Sequence, residues 1–228
     1  MEILIFDCDG VLVDSEIIAE KVLQECLADW LPDLHAEDEL RQALGMTTGA
    51  ILDKLARRST HALPTNALAR IERAIDARLA TDLEAIQGVA EAIRKLEIPL
   101  AIVSNSGRRR VAVSLKATGL DAELSQVPLF TAEQVERPKP EPDVYRLAAR
   151  SMGCAPTECL VVEDSVSGVT AAQAAGMTVI GFTGASHIEP GYDRRLQQAG
   201  AWGIMADMQD LESLVQRWHE GRRPVAQN

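Results

Sequence analysis

The stretch Leu4-Ile5-Phe6-Asp7-Cys8-Asp9-Gly10-Val11 decides the fold. The apolar run from Ile3 to Phe6 passes without interruption into an acidic pair, the pattern of a strand buried on both faces that ends at a polar site. On extended chain, residues i and i+2 face the same way, so Asp7 and Asp9 converge, and Gly10 lets the chain turn sharply behind them. Two carboxylates so placed repel one another. A divalent cation keeps one ionised while the other carries a proton, and such a pair supplies a nucleophile and a general acid/base. The competing reading is an Asp-Gly turn after an ordinary strand. An EF-hand loop does not fit, because no third acidic ligand and no Glu follow at loop spacing.

Working outward, short apolar runs recur at Leu100-Ala101-Ile102-Val103, Leu160-Val161-Val162 and Thr178-Val179-Ile180-Gly181. Helical patterns lie between them, over 88–96, 108–118, 141–151 and 166–175. This alternation predicts an α/β fold, a parallel sheet flanked by helices. Residues 16–83 break the alternation with amphipathic patterns at Ile17–Trp30, Glu37–Leu44, Ala50–Arg58 and Ala67–Ala80. They read as a helical insertion after the first strand, within a core made of residues 1–15 and 84–228. Asp14-Ser15-Glu16 and Leu83 to Gly88 are its hinges, and Met205 to Trp218 resumes the core with a closing helix over 209–219.

The 228 residues, 46% apolar and 25% charged without a biased tract, suit a globular chain of one to two domains, with disorder expected only over 221–228. Ile3 to Phe6 is too short for a signal peptide or a membrane span, so a cytoplasmic location is expected. Cys8, Cys26, Cys154 and Cys159 lack Cys-x-x-Cys spacing and read as reduced thiols. A net charge of −11 argues against nucleic acid and anionic membrane as partners, and Arg108-Arg109-Arg110 reads as a solvated helix start. His35, His61, His187 and His219 show no metal spacing and are expected at the surface. A monomer is the default, since an inserted cap must open and close.

In open α/β sheets ligands bind beyond the carboxyl ends of the strands, which directs attention to three further segments. Ser104-Asn105-Ser106-Gly107 offers a hydroxyl and backbone N–H groups to an anion, although Ser and Asn are also ordinary helix caps. Glu163-Asp164 places two acids side by side at a strand end, an arrangement that a cation offsets, and oxygen donors favour Mg²⁺. The alternative is that Asp164 or Ser165 caps the next helix. In Arg137-Pro138-Lys139-Pro140 two prolines limit where the Lys139 ammonium can point, either toward phosphoryl oxygens or simply within a rigid surface loop.

Together, and in this order, the four segments resemble the signature motifs of the haloacid dehalogenase superfamily over nearly the whole chain. The resemblance implies a Rossmann-like sheet and a phosphoryl transfer in which Asp7 is the nucleophile that forms an aspartyl-phosphate. Asp9 then protonates the leaving oxygen and later activates water. It implies Mg²⁺ held by Asp7, the backbone carbonyl of Asp9 and Asp164, with Glu163 adjusting the site directly or through water. Ser104 and Asn105 would contact the transferred group, and Lys139 would bridge it to Asp7. The superfamily's dehalogenases lack a carboxylate two residues after the nucleophile, so Asp9 favours phosphate chemistry. The insertion resembles the small helical cap of phosphosugar phosphatases. A likeness to phosphatases of phosphosugars and phosphosugar acids rests on Asp7-Cys8-Asp9-Gly10, Leu12-Val13-Asp14-Ser15-Glu16, Leu83-Glu84-Ala85-Ile86 and Val103-Ser104-Asn105. The implied partner is a small phosphorylated metabolite. Its specificity is expected from Glu16 and the turn Gly45–Thr48, where Thr48 is also a candidate helix cap, with smaller contributions from Arg108 and Arg109. The rival enzyme is a β-phosphoglucomutase-like mutase, weakened by Ala19 and Gly45-Met46-Thr47-Thr48, where that group carries a histidine and an arginine. A catalytically inactive phosphate-binding module is a further alternative, opposed by the joint presence of Asp7, Asp9, Lys139 and Asp164.

Overall fold

The leading apolar run becomes β1 (Ile3–Asp7), all of whose residues are buried. This computed structural model describes residues 1–41 and 48–222. The turn Gly45–Thr47, the end of the helix expected over 37–44 and the tail beyond 222 lie outside the described residues. The other strands are β2 (Leu100–Ser104), β3 (Leu129–Thr131), β4 (Cys159–Glu163), β5 (Thr178–Phe182) and β6 (Gly203–Met205). They form one sheet in the order β3-β2-β1-β4-β5-β6, and every neighbouring pair is parallel. The expected α/β parallel sheet is therefore present.

Why β1, β2 and β4 are apolar up to their last residue follows from their place in the sheet. Ile3, Ile5, Ala101, Val103, Cys159 and Val161 pack into one core with Val144, Tyr145 and Ala148 of the helix Asp143–Met152 and Val169 and Ala172 of the helix Val166–Ala175. Leu4 and Phe6, pointing the other way on β1, are equally buried. Each large side chain so buried contributes about 1.5–3 kcal/mol. The expected helices are found as Val89–Lys95, Arg108–Ala117, Asp143–Met152, Val166–Ala175 and Leu211–Arg222. β3 and β6 were not expected. Each is a three-residue edge strand, too short for an apolar period to register against its flanks.

The sheet order fixes where a ligand can sit. The chain steps from β1 to β2 and β3, then returns to place β4 on the other flank of β1, so the strand order reverses between β1 and β4. Crevices open at such reversals because the connecting helices leave on opposite faces. Phe6 pairs with Val162 in β4, while Asp7 pairs with Val103 in β2. The polar residues that follow these strands are thereby brought level at one end of the sheet.

Contacts divide the chain into two compact units, Ser15–Leu83 and the remainder. Taken alone, Ser15–Leu83 contains the helices Glu16–Trp30, Ala36–Arg41, Thr48–Ala56 and Ala67–Asp82. Leu27, Leu31, Leu55 and Ile71 form the centre of its apolar core. The loop around Asp33 is tied to 59–61 by its carboxylate, which accepts from the Thr60 N–H at 2.7 Å and from the Ser59 hydroxyl at 2.5 Å. Hydrogen bonds from Ser59 and Thr60 hold that carboxyl well below the usual aspartate range. Trp30 lies under the Arg70 guanidinium, Trp218 is buried in the core unit, and Trp202 is exposed beneath Arg217. The four cysteines are free, although the Cys154 and Cys159 sulfurs approach to 3.4 Å.

Candidate active site

After β1 the chain makes a tight loop in which the Gly10 N–H donates to the Val13 carbonyl at 2.8 Å and the Leu12 N–H to the Cys8 carbonyl at 2.9 Å. Gly10 has φ +78°, which an L side chain resists, and a Cβ on it would fall 1.9 Å from Asp164 Oδ2. The glycine is thus required twice, by the turn and by the acid that follows β4.

Asp9 is held against the end of β2. Its Oδ2 accepts from Ser106 Oγ at 2.8 Å and from Ser104 Oγ at 3.2 Å, and Ser104 Oγ in turn accepts from the Ser106 N–H at 2.9 Å. Asn105 directs its side chain elsewhere. Its Oδ1 accepts from the Lys139 N–H at 3.1 Å and its Nδ2 donates to the Lys139 carbonyl at 3.2 Å, so it clips the Lys139 segment to the β2 loop. Arg108 is likewise committed, its backbone N–H to Glu133 and its guanidinium to the Leu129 carbonyl. Glu16 and Thr48 open two helices of the second unit.

Lys139 lies at the centre. Its Nζ donates to Asp7 Oδ1 at 2.5 Å and Glu163 Oε1 at 2.6 Å, with only 4% of the side chain exposed. Arg137, Pro138, Pro140 and Glu141 around it do lie at the surface, but the Lys139 side chain itself turns inward. Burial disfavours the ammonium, but Asp7 and Glu163 outweigh that cost and hold the Lys139 pKa well above its ordinary value. Burial pushes the Asp7 carboxyl upward, and Lys139 pulls it back only in part because Glu163, Asp164 and Asp9 also bear on it.

Glu163 is gripped from both sides. Its Oε1 accepts from Lys139 Nζ and from Tyr145 Oη at 3.1 Å, and its Oε2 from the Ser165 N–H and Oγ, each at 3.0 Å. Ser165 also caps the helix Val166–Ala175, accepting from the Gly168 N–H at 2.9 Å, so the cap expected there and the acidic site share one residue. Gly168 is where Glu163 rests on the helix backbone, since a Cβ there would meet Oε1 at 1.6 Å.

Asp7, Glu163 and Asp164 present carboxylate oxygens that lie within 4.8 Å of one another. Three buried acids confronting one ammonium are incompletely neutralised, and an all-oxygen set of this kind suits a hard divalent cation. On this observation the residues fit Mg²⁺.

Sequence reasoning did not single out Tyr145, Ser106 or Gly168 as site residues, and it placed His187 at the surface. Tyr145 sits at a core position of an amphipathic helix, where nothing marks the destination of its hydroxyl. His187 requires a correction. Its Nε2 lies 3.3 Å from Asp164 Oδ2, with 22% of the side chain exposed.

Residues 4–182 match the sequence pattern of the haloacid dehalogenase-like hydrolases. The chain belongs to that family. It is 30% identical over 193 residues to the 6-phosphogluconate phosphatase of Escherichia coli, covering 83% of this chain and 86% of that one. A conserved haloacid dehalogenase-like protein of Agrobacterium tumefaciens superposes with a TM-score of 0.85 at 38% identity, over 96% of this chain and 99% of its own. A family hydrolase from Deinococcus radiodurans, solved with bound phosphate and sodium, gives 0.80 at 32% identity, over 96% of each chain. With these relatives the family member described here is a phosphoric monoester hydrolase. Among its described residues no helix is long and apolar enough to cross a membrane.

For this hydrolase Tyr145→Phe removes one donor from Glu163 without emptying the core. A hydrogen bond to a charged acceptor contributes about 1.5–3 kcal/mol, and the loss is expected as a lower unfolding temperature. With Glu163 less constrained, Lys139 moves relative to Asp7, and turnover is expected to fall roughly tenfold with KM unchanged. Steady-state kinetics checks this, and unchanged kcat would show that the Tyr145 hydroxyl serves packing alone.

Proposed function

We propose that the chain is a Mg²⁺-dependent phosphatase of a sugar phosphate or phosphosugar acid, working through an aspartyl-phosphate on Asp7. One observation carries the reading. Asp7, at the strand-order reversal, is paired to a buried ammonium and flanked by Glu163 and Asp164. Phosphoryl transfer depends more on positioning and charge neutralisation than on covalent chemistry by the protein, and these residues supply both.

Asp7, Asp164 and the Asp9 backbone carbonyl would hold Mg²⁺, with Glu163 bearing on the site chiefly through its grip on Lys139. The bound ion would neutralise phosphoryl oxygens and keep Asp7 ionised. Asp7 attacks phosphorus, the bond from phosphorus to the ester oxygen breaks, and Asp9 gives its proton to that leaving oxygen. Asp9, now a carboxylate, takes a proton from water as the water attacks the aspartyl-phosphate. The phosphorus–Asp7 bond breaks and inorganic phosphate leaves. Ser104 and Ser106 hold Asp9 for both proton transfers, and Lys139 offsets charge on the transferred group. Contact of Ser104 with the phosphate would require its hydroxyl, which donates to Asp9 here, to turn to the substrate, whereas the Asn105 side chain orients Lys139.

The substrate class is supported by the Escherichia coli relative, whose name specifies a phosphosugar acid. Glu16 and Thr48 are the residues of the second unit assigned to substrate contact. The test is phosphate release from sugar phosphates, phosphosugar acids, phosphoglycolate and nucleotides, with Mg²⁺ and then with chelator. Preference for one phosphosugar that disappears on chelation is the expected result. Activity that survives chelation, or turnover of nucleotides alone, would overturn the reading.

A further inference from the structure

The loop that follows β5 brings His187 to the acidic cluster. Its backbone is tied outside the segment 183–188 at Thr183 and Ser186, and Ile188 closes a turn within it. The Thr183 N–H donates to the Met205 carbonyl at 2.8 Å, and the Ile188 N–H to the Ala185 carbonyl at 3.1 Å. Between them Ser186 donates its N–H to both oxygens of Asp14 at 3.3 Å, and its hydroxyl to the same carboxylate. Ala185 is buried. The imidazole is therefore delivered to its position by a fixed backbone.

At that position Nε2 lies 3.3 Å from Asp164 Oδ2. Nδ1 is buried with no hydrogen-bond partner among the described residues, so the ring's polar contact is the one to Asp164. The same oxygen faces Gly10, where an added Cβ would come within 1.9 Å. Asp164 Oδ2 is thus confined by the backbone of the β1 loop and by an imidazole, and rotation of its carboxylate displaces one or the other. The imidazole is not one of the cluster's three donor groups, which are all carboxylates. It stands beside one of them, the place from which outer partners orient metal ligands.

We propose that His187 is a positioning residue for the divalent-cation site, holding the Asp164 carboxylate in its binding orientation. This rests on the Mg²⁺ reading above. Outer partners of metal ligands typically govern affinity by about 10–100-fold, and that is the effect expected here.

The experiment is isothermal titration of the chelator-treated full chain with MgCl₂, for wild type and for His187→Ala, His187→Gln and His187→Asn, each checked by thermal unfolding. A glutamine amide nitrogen reaches the place of Nε2, and an asparagine amide nitrogen only that of Nδ1. The proposal expects His187→Ala to weaken Mg²⁺ binding by roughly 10–100-fold, His187→Asn to follow it, and His187→Gln to stay close to wild type. Rescue by glutamine but not asparagine separates this role from loop packing, which both would affect alike. Wild-type Mg²⁺ affinity in His187→Ala overturns the proposal, as does glutamine binding no better than asparagine, a comparison that stands even if the alanine variant fails to fold. Wild-type protein that binds no Mg²⁺ removes the metal reading itself, and this one with it.

Discussion

Asp7→Asn is expected to lower turnover by roughly a hundred-thousand-fold or more, as removal of a nucleophile does elsewhere. Asparagine fills the same space, but its amide does not attack phosphorus. The fold should survive. Lys139 keeps Glu163 at 2.6 Å, so no buried ion is left without a partner. Asp7 shares this ammonium with Glu163 and lies in a cluster with the buried Asp164, and burial raises its pKa in the protein without metal. Its removal relieves repulsion, and the melting temperature without Mg²⁺ is expected to hold or rise. Phosphate release and acid-quench trapping of the phosphoenzyme check the first part, and calorimetry the second. Turnover near the wild-type rate would exclude Asp7 as nucleophile, whereas lost activity with a collapsed melting temperature would show that Asp7 is chiefly structural.

Gly168→Ala sets two effects of opposite sign against each other. Alanine is the better helix former by about 0.8–1 kcal/mol, and helix propensity alone predicts stabilisation. The added Cβ, however, would meet three carboxyl atoms of Glu163 at 1.6, 1.9 and 2.3 Å. Glu163 is fully buried, so the methyl group displaces it from Lys139, Tyr145 and Ser165 together. Disrupting a buried ion pair typically costs about 3–5 kcal/mol, leaving a net loss of roughly 2–4 kcal/mol after the propensity gain. For a chain of this size that lowers the melting temperature by roughly 5–15 °C. Activity falls as well, because Lys139 loses the acid that holds it on Asp7. A variant with wild-type melting temperature and turnover would mean that Glu163 has another place to rest, and that its grip on Lys139 is not needed.

The contrast between Asn105 and Glu163 shows how a motif residue acquires its task. Both follow apolar strands, and both were read as candidates for direct contact with phosphate or metal. In the folded chain the Asn105 side chain is used on the backbone of Lys139 and Glu163 on its ammonium. They place the cation that Asp7 needs from two sides. Mutating either is expected to act through Lys139.

By itself the sequence determined the elements and the chemistry available at their ends. Continuous apolar runs that stop at Asp7, Ser104 and Glu163 are legible because a strand buried on both faces tolerates no polar residue before its end. Amphipathic periods showed the helices for the same reason. Only the tertiary structure decided which of these ends meet. Asp7 and Lys139 are 132 positions apart, and no local pattern encodes their contact, which follows from the order β2-β1-β4. Tyr145 and Gly168 read as core and helix until β4 is laid beside them, and His187 as a loop residue until the chain after β5 folds back to Asp14 and Asp164. The physical division is between burial, which acts residue by residue and leaves a period in the chain, and hydrogen bonding across the sheet, which depends on neighbours that sequence distance conceals.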